Sequence, residues 1–209
     1  MTDVARWGMP RNRRPQDREE KRGEIVAAAT RLFVEEGYDS TTVVRIGREA
    51  GVASNTVYWY FKHKDEVLVA VLDALFAEFL AGAAQRLAES PVEQLLWAVG
   101  QLRRVDRLIT TVHARVGASE ALRVWHDGFH AQVEGMLRWH LAGLGVPEAE
   151  QGAMTRIGVF AVEGMLTHVG DAAGDRAIVE TLVRSARGIA AVPGPHQDPG
   201  GSTTGSPGR

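Results

Sequence analysis

The chain has 209 residues, of which 44% are hydrophobic, a formal net charge of −2 and no cysteine. This length can bury a sizeable core in one or two domains, and the lack of cysteine excludes disulfides, thiol nucleophiles and thiolate metal ligands. No apolar run approaches the roughly 20 residues that span a bilayer, and an arginine-rich N-terminus is too polar for a secretory signal, so we expect a cytoplasmic protein without a membrane partner.

Charge is distributed unevenly along the chain. Residues 1–64 hold 12 of the 24 Lys and Arg but 9 of the 26 Asp and Glu, a net charge of +3 that leaves −5 for the remainder. Only the N-terminal part is therefore suited to a polyanion, although so small an imbalance is also common on solvated surfaces. The two ends are polar and aperiodic, and we expect a flexible basic arm at 1–17 and a disordered tail at 193–209.

Between these ends the apolar residues recur at helical spacing and no run alternates with period two. An all-α fold of about nine helices is therefore predicted. One short helix is expected between Thr42 and Ala50. The other predicted helices cover 17–36, 54–61, 64–88, 92–102, 105–116, 120–143, 148–170 and 175–191.

The two shortest predicted helices form a helix-turn-helix within residues 18–64. Ser40, Thr41 or Thr42 provides an N-cap for the first of them, and the tight turn Ala50-Gly51-Val52 precedes the second. Gly51 adopts positive φ cheaply, and Val52 plugs the angle between the helices. Ile46, Val57 and Phe61 are expected to pack in the core.

The second short helix carries side chains suited to the major groove of DNA. Its first turn offers small polar residues to base edges, and Tyr58 lies on the same face, from which its hydroxyl reaches a phosphate. Lys64, at the start of the next helix, adds a cation where helical N–H groups favour an anion. The predicted DNA-binding residues are Thr42, Ser54, Asn55, Thr56, Tyr58, Trp59, Tyr60 and Lys64.

Two features of this region have alternative interpretations that stay open. Trp59 is either a DNA contact or a ring that lies on the surface. The basic arm expected before the first helix either enters an adjacent minor groove or forms a soluble tail. These basic residues are Arg11, Arg13, Arg14, Arg18, Lys21 and Arg22.

From about Glu24 to Leu68 the sequence resembles the tetracycline-repressor (TetR) family of bacterial transcriptional regulators. The matching residues are Phe33, Gly37-Tyr38, Thr41-Thr42, Ile46, Ala50-Gly51-Val52, Thr56, Val57-Tyr58, Tyr60-Phe61, Lys64 and Leu68. The chain departs from the family pattern at Gly47, usually alanine, at Ala53, often a capping serine, and at Asn55, often glycine or proline. We hypothesise that Ser54 takes over the cap and that Asn55 contacts adenine with its amide.

The remainder, assigned to ligand binding and dimerisation over 65–192, shows no catalytic motif. The predicted helix at 120–143 is rich in aromatic and histidine side chains, which line either a well-filled core or a ligand cavity. The candidate ligand-binding residues are Trp97, His113, Trp125, His126, Phe129, His130, Val133, Met136 and Phe160. His126, His130 and Glu134 have the spacing of shared metal ligands, but the sequence identifies no further ligand. We therefore predict a polar patch in a pocket, with no metal and no cofactor.

The last two predicted helices combine small residues with wide apolar stripes that need another partner. The resemblance implies that they pair with their two-fold mates in a four-helix dimer interface. The candidate interface residues are Ile157, Gly158, Ala161, Gly164, Leu182, Ala186 and Ile189.

These patterns and the resemblance predict a regulator that is not an enzyme. It would bind a palindromic double-stranded operator as a homodimer and repress transcription until an unknown small molecule, bound between the fifth and eighth helices, tilts the helix that starts at Lys64. Two alternatives stay open. One is an activator or dual regulator, and the other is a helical binding protein or enzyme with a vestigial DNA module.

Overall fold

The structure, a computed structural model, describes residues 15–168 and 170–191, and its described residues form nine α-helices without a strand. The predicted all-α class is therefore confirmed. The helices are α1 Pro15–Glu35, α2 Val43–Glu49, α3 Ser54–Tyr60, α4 Lys64–Ala84, α5 Pro91–Arg103, α6 Asp106–Arg115, α7 Glu120–Gly143, α8 Glu148–Thr167 and α9 Ala172–Ala190. The predicted tail at 193–209 lies outside the described residues, as does the predicted arm up to residue 14.

Several helix ends differ from the predicted ones, each for a local reason. Helix α4 ends at Ala84 rather than near 88, where the N–H of the C-cap residue Gln85 still donates to the Ala81 carbonyl and the chain then continues in turns. Helix α8 ends at Thr167 rather than 170, because the backbone of the next residue, His168, is already extended. Helix α9 begins at Ala172 rather than 175, because the Asp171 carboxylate caps it by accepting from the Gly174 N–H at 2.7 Å.

The described chain divides into two compact units. The first contains the residues up to Ser90 and Trp97–His130, and the second contains Pro91–Leu96 and the residues from Ala131 onward. Helices α5 and α7 thus contribute residues to both units.

The core of the first unit begins in α1 and continues beyond the helix-turn-helix. Phe33 of α1, Ile46 of α2 and Val57 of α3 are each at most 1% exposed, and they share one cluster with Leu108 of α6 and Leu122 of α7. The two short helices therefore share one apolar core with α4 and α6. Burial of their apolar side chains in this core stabilises the two helices more than their intrinsic helix propensity does.

The second unit has a smaller core between the end of α7 and helices α8 and α9. Val146, Met154 and Ala186 are buried there, with Leu141 and Ile189 packed against them. Its polar links include the Arg176 guanidinium, which donates to the Glu93 carboxylate at 2.9 Å.

Helix α4 is apolar enough to cross a membrane by length and composition, with a mean hydropathy of 2.0. It is the one such helix in the described part of the chain, and it corrects the expectation that no run approaches this range. One helix of this kind is weak evidence for a span, since core helices pass the same test. Val67, Leu68 and Val71 of α4 are 0% exposed within the core of the first unit.

Candidate functional site

The turn between α2 and α3 is closed by backbone contacts at Gly47. Thr42 caps α2, where its hydroxyl oxygen accepts from the Arg45 N–H at 3.1 Å, and Gly51 adopts φ +64° in the turn. The Val52 N–H donates to the Gly47 carbonyl at 2.8 Å. A Cβ on residue 47 would lie 2.9 Å from the Val52 carbonyl oxygen. Glycine at this position therefore lets the turn approach α2 more closely than alanine would.

Helix α3 is anchored through Val57, and its opposite face is exposed. Asn55, Tyr58 and Trp59 lie on that face, with Tyr58 52% and Trp59 60% exposed. The N-cap of α3 is Ala53, which makes no side-chain cap, so the hypothesis that Ser54 caps the helix is wrong. Ser54 is instead the first helical residue and, like Thr56, is partly exposed.

The aromatic residues at the end of α3 have different environments. Tyr60 is half-buried, and its ring meets the edge of Trp59 at a centroid distance of 4.7 Å. The guanidinium carbon of Arg18 lies 4.5 Å from the Trp59 ring centroid, which brings a cation to this surface. Arg18 belongs to α1, as do Lys21 and Arg22, so these three residues are not part of an arm. Arg11, Arg13 and Arg14 lie outside the described residues, and both interpretations of Trp59 stay open.

The Lys64 ammonium is held by the loop between α1 and α2. It donates to the carbonyl oxygens of Tyr38 at 2.8 Å and Thr41 at 3.0 Å, and it lies 3.9 Å from the Tyr38 ring centroid. Burial lowers the pKa of Lys64, with Arg115 lowering it further and Asp39 and Asp65 opposing the shift. One of the three ammonium donors is left for another acceptor. Lys64 thus ties the start of α4 to the loop that delivers the Thr42 cap.

Asp65 is the centre of a polar network that sequence reasoning did not identify. Its two carboxylate oxygens accept from Nε and Nη2 of Arg115, each at 3.0 Å, and it also accepts from the Tyr38 hydroxyl. Burial by itself would raise the pKa of Asp65, but the hydrogen bonds from Arg115, Tyr38 and Ser119 outweigh it and hold the pKa below its ordinary value. Burial and then the bond to Asp65 raise the pKa of Tyr38. The network joins α6 to the start of α4.

Helix α2 also exposes side chains that the sequence analysis did not assign. Val44 is 67% exposed and Arg48 is exposed one turn later, whereas Val43, Ile46 and Gly47 face the core. The four-residue spacing of Val44 and Arg48 places them on one face and could have identified them. An exposed apolar residue beside a cation suits a groove with thymine methyl groups and phosphates.

Six of the predicted ligand-binding residues come together in the first unit. A continuous series of ring contacts, which we call the ring series, runs from Trp97 through Phe79, Phe76 and Phe129 to Trp125, with centroid distances of 5.1 to 6.1 Å. His130 meets the edge of Phe129 at 5.7 Å. His126 lies 4.4 Å from His130 and 5.3 Å from His113 by ring centroids. Through the contact between Phe129 and His130, the ring series is thus connected to three histidines.

Trp97 and Trp125 are fixed by packing and hydrogen bonding. A Cβ on Gly82 would lie 2.6 Å from the indole of Trp97, so that indole rests directly on the backbone of α4. The Trp125 indole N–H donates to the Asp73 carboxylate at 2.8 Å. The remaining candidates, Val133, Met136 and Phe160, belong to the second unit, and their part in a pocket stays a prediction.

The candidate interface residues of the second unit differ in exposure. Ile157 is 50% exposed, and Gly158 and Gly164 have open space where a Cβ would stand. Ala186 is only 2% exposed and lies in the core of its own unit, with Ile189 packed against it. The described α8 and α9 also expose Phe160 at 63% and Ile178 at 43%, so each helix has outward apolar surface. Ala161 and Leu182 are half-buried.

Comparison with known proteins was made by family model, sequence and fold. Residues 25–71 match the model of the bacterial regulatory proteins of the tetR family. The chain is 39% identical over 83 residues to the HTH-type transcriptional regulator HbdR of Aromatoleum sp., which covers 39% of this chain and 36% of that protein. It is 36% identical over 76 residues to the HTH-type transcriptional activator FasR of Mycolicibacterium smegmatis, covering 36% of this chain and 34% of that protein. These two relatives are thus matched over about a third of their own length.

The fold comparison extends to most of the chain. The crystal structure of a TetR transcription regulator from Haloarcula marismortui superposes with a TM-score of 0.62 and 21% identity, covering 82% of this chain and 97% of that one. At this identity the likeness shows the shared all-α fold. The family model, by contrast, matches only residues 25–71, which contain the helix-turn-helix.

Proposed function

We propose that this chain, a member of the TetR family by its N-terminal domain, is a transcriptional regulator that binds a palindromic DNA operator as a homodimer. The observation that carries the proposal is the geometry of α3. The helix is anchored by Val57 and by the tight turn at Gly47, and it presents Asn55, Tyr58 and Trp59 to solvent. A short helix held rigidly in this way suits the major groove of B-DNA.

The groups around α3 support the same proposal. Thr42 and Arg48 of α2, and the third donor of Lys64, are the candidate phosphate contacts that set the register of α3. Asn55 is the candidate reader of adenine, with Ser54 and Thr56 beside it. The functional division assigns residues 18–64 to DNA and 65–192 to effector binding and dimerisation.

We assign the exposed apolar surface of α8 to the dimer. Ile157 and Phe160 lie one helical turn apart and are 50% and 63% exposed, so together they form an outward apolar surface that a partner helix could cover. Open space at Gly158 and Gly164 permits the close approach of a partner helix. A two-fold axis through this surface would supply the symmetry that a palindromic operator requires.

The effector site that fits this function is the ring series together with the histidines of the first unit. It offers aromatic walls and a few polar groups to a small molecule, and its rings include Phe76 and Phe79 of α4, the helix that follows the DNA-binding residues. In this proposal, effector binding causes the protein to dissociate from its operator, and the protein is then a repressor. The same binding chemistry serves an activator or dual regulator, since the sign depends on where the operator lies. A cytoplasmic location follows from this role.

Selection of genomic fragments by the purified full chain tests the proposal. Fragments from the host genome are retained on the protein at low salt, sequenced and re-examined by mobility shift. We expect a palindromic site, including one upstream of its own gene or a neighbouring gene, with an affinity that falls steeply with salt. Failure to retard any enriched duplex would refute the proposal, and Asn55→Ala, which leaves the exposed surface otherwise intact, is the matched variant for loss of specificity.

A further inference from the structure

Three imidazole rings converge in the first unit, apart from the helix-turn-helix. His113 lies near the end of α6, and His126 and His130 lie one turn apart on α7. One nitrogen of each ring is within 4.8 Å of the others, and the Nε2 atoms of His126 and His130 are 3.2 Å apart. Among the described residues this is the group of three metal-ligating side chains that the fold assembles, and we call it the histidine cluster.

We propose that the histidine cluster binds a divalent transition-metal ion of the Zn²⁺ class and leaves a fourth coordination position open. Zn–N bonds of about 2.0–2.1 Å in a tetrahedral site place neighbouring ligand nitrogens roughly 3.3 Å apart. The His126–His130 pair already has that separation. His113 is exposed and on a separate helix, so a small rotation of its ring brings the third nitrogen to the same distance.

The donor set selects the kind of ion. Three imidazoles without a thiolate or a carboxylate suit Zn²⁺, Co²⁺, Ni²⁺ and Cu²⁺, whereas Mg²⁺ and Ca²⁺ require oxygen ligands. The Asp127 carboxylate lies 3.7 Å from Nδ1 of His126, whereas Nε2 of the same ring is the nitrogen that lies near His130. At that distance the carboxylate is a charged neighbour of the ring and not a hydrogen-bond partner.

A hydrogen bond between His126 and His130 explains the pair but not the cluster. One N–H···N contact accounts for two rings, and it gives His113 no reason to converge on them from α6. Glu134, which follows His130 by four residues, is not among the three converging side chains, and its carboxylate accepts from Arg138 at 3.1 Å. A shared cation accounts for all three rings.

Metal binding would also restrain the start of α4, where the proposed DNA contact Lys64 lies. This step rests on the proposed function. His113 precedes Arg115 by two residues on α6, and the Arg115 guanidinium is bidentate on Asp65 in the first turn of α4. An ion that fixes α6 against α7 therefore restrains the helix end that holds Asp65 and, beside it, Lys64. We infer that the ion, alone or with a small ligand in the fourth position, changes operator affinity.

The metal site is tested without DNA. Untagged full-length protein, stripped with a chelator, is titrated with Co²⁺ while its visible d–d absorption is recorded, and with Zn²⁺ in competition with a chromophoric chelator. We expect equimolar binding and an absorption typical of low-coordinate Co²⁺. His113→Ala and His130→Gln should each weaken binding by at least about 10–100-fold, since even outer-shell changes have effects of that size.

His140→Gln is the matched control. His140 lies on α7 as well, but its ring nitrogens contact the Met136 carbonyl at 2.8 Å and the Gln94 side chain at 3.2 Å, so its loss should leave the metal affinity unchanged. Equal binding by wild type and His113→Ala, or no binding of either ion by the folded wild type, would overturn the site. His113 is exposed, so the alanine variant should fold, which its circular dichroism verifies.

The regulatory part is tested with the selected operator. We expect Zn²⁺ to change the Kd for the operator by about 5–150-fold in wild type and His140→Gln but not in His113→Ala. Metal binding with an unchanged operator Kd would overturn the regulatory part. If neither stripped nor Zn²⁺-loaded protein retards any DNA, the proposed function fails, while the Co²⁺ titration still decides whether the metal site exists.

Discussion

At the scale of single residues, Tyr58 and Asp65 have different roles: Tyr58 is a proposed DNA contact, and Asp65 links α4 to α6 and to the α1–α2 loop. Tyr58 is half exposed on α3, on the same helical face as Asn55 three residues earlier. Asp65 is nearly enclosed, with a side chain 14% exposed, and it binds Arg115 and Tyr38. Changes at the two positions should therefore affect different measurements.

Tyr58→Phe should weaken operator binding without affecting the fold. The substitution removes only the hydroxyl, and a hydrogen bond to a charged phosphate is typically worth about 1.5–3 kcal/mol, which is roughly a tenfold or greater rise in Kd. Fluorescence anisotropy with the selected operator measures the change, and thermal unfolding should match wild type. An unaltered Kd would remove Tyr58 from the phosphate contacts.

Asp65→Asn should lower stability and flatten its dependence on acid pH. The pKa of Asp65 is depressed in the folded protein, so its ionised form stabilises the fold above the unfolded-state pKa of about 3.9 and this contribution is lost as the pH falls through the folded-state pKa. Wild type should lose free energy of unfolding below about pH 4, and Asp65→Asn should lose less. At neutral pH the variant should be less stable by about 1–3 kcal/mol, because Arg115 loses its charged partner.

Urea unfolding from pH 3 to 7 measures both effects. Glu120→Gln is the control, since Glu120 forms an exposed ion pair with Arg123 that should contribute little. Parallel pH profiles for wild type and Asp65→Asn would contradict the assignment of acid sensitivity to this carboxylate.

At the scale of elements, Lys64 can serve both as a support for the loop between α1 and α2 and as a phosphate contact. Its ammonium donates to the carbonyls of Tyr38 and Thr41, and the residue after Thr41 is Thr42, the N-cap of α2. The spacing that made Lys64 a candidate phosphate contact could not reveal these carbonyls, because they lie 23 and 26 residues earlier in the chain.

Lys64→Ala should weaken binding to all DNA sequences alike and reduce the salt dependence of binding. Loss of one phosphate contact lowers the slope of log K against log salt by about 0.9. Loss of the two carbonyl contacts should also lower the melting temperature. Lys62→Ala is the matched control, because it removes the same charge from an exposed site two residues earlier. An unchanged slope with a lower melting temperature would assign Lys64 to loop support alone.

At the scale of the whole molecule, the exposed apolar residues of α8 form the surface that the proposed function assigns to a homodimer. Phe160→Glu should convert the homodimer to a monomer, since a buried charge without a counterion is strongly unfavourable at an interface. Analytical ultracentrifugation measures the change, and affinity for the palindromic operator should fall in step. Val124→Glu is the control, as Val124 is 59% exposed on α7 in the first unit. A dimeric Phe160→Glu protein would place the interface elsewhere.

Local periodicity, caps and the turn at Gly51 were enough to predict the helical class, the order of the helices and the position of the helix-turn-helix. The sequence also identified most of the rings and histidines in the first unit, but not how they combine. The pairing of Asp65 with Arg115, 50 residues away, and the place of His113 beside His126 and His130 are visible only in the packed helices. Such pairings depend on which helix faces pack together, and helical spacing within one element carries no information about the partner that will meet it.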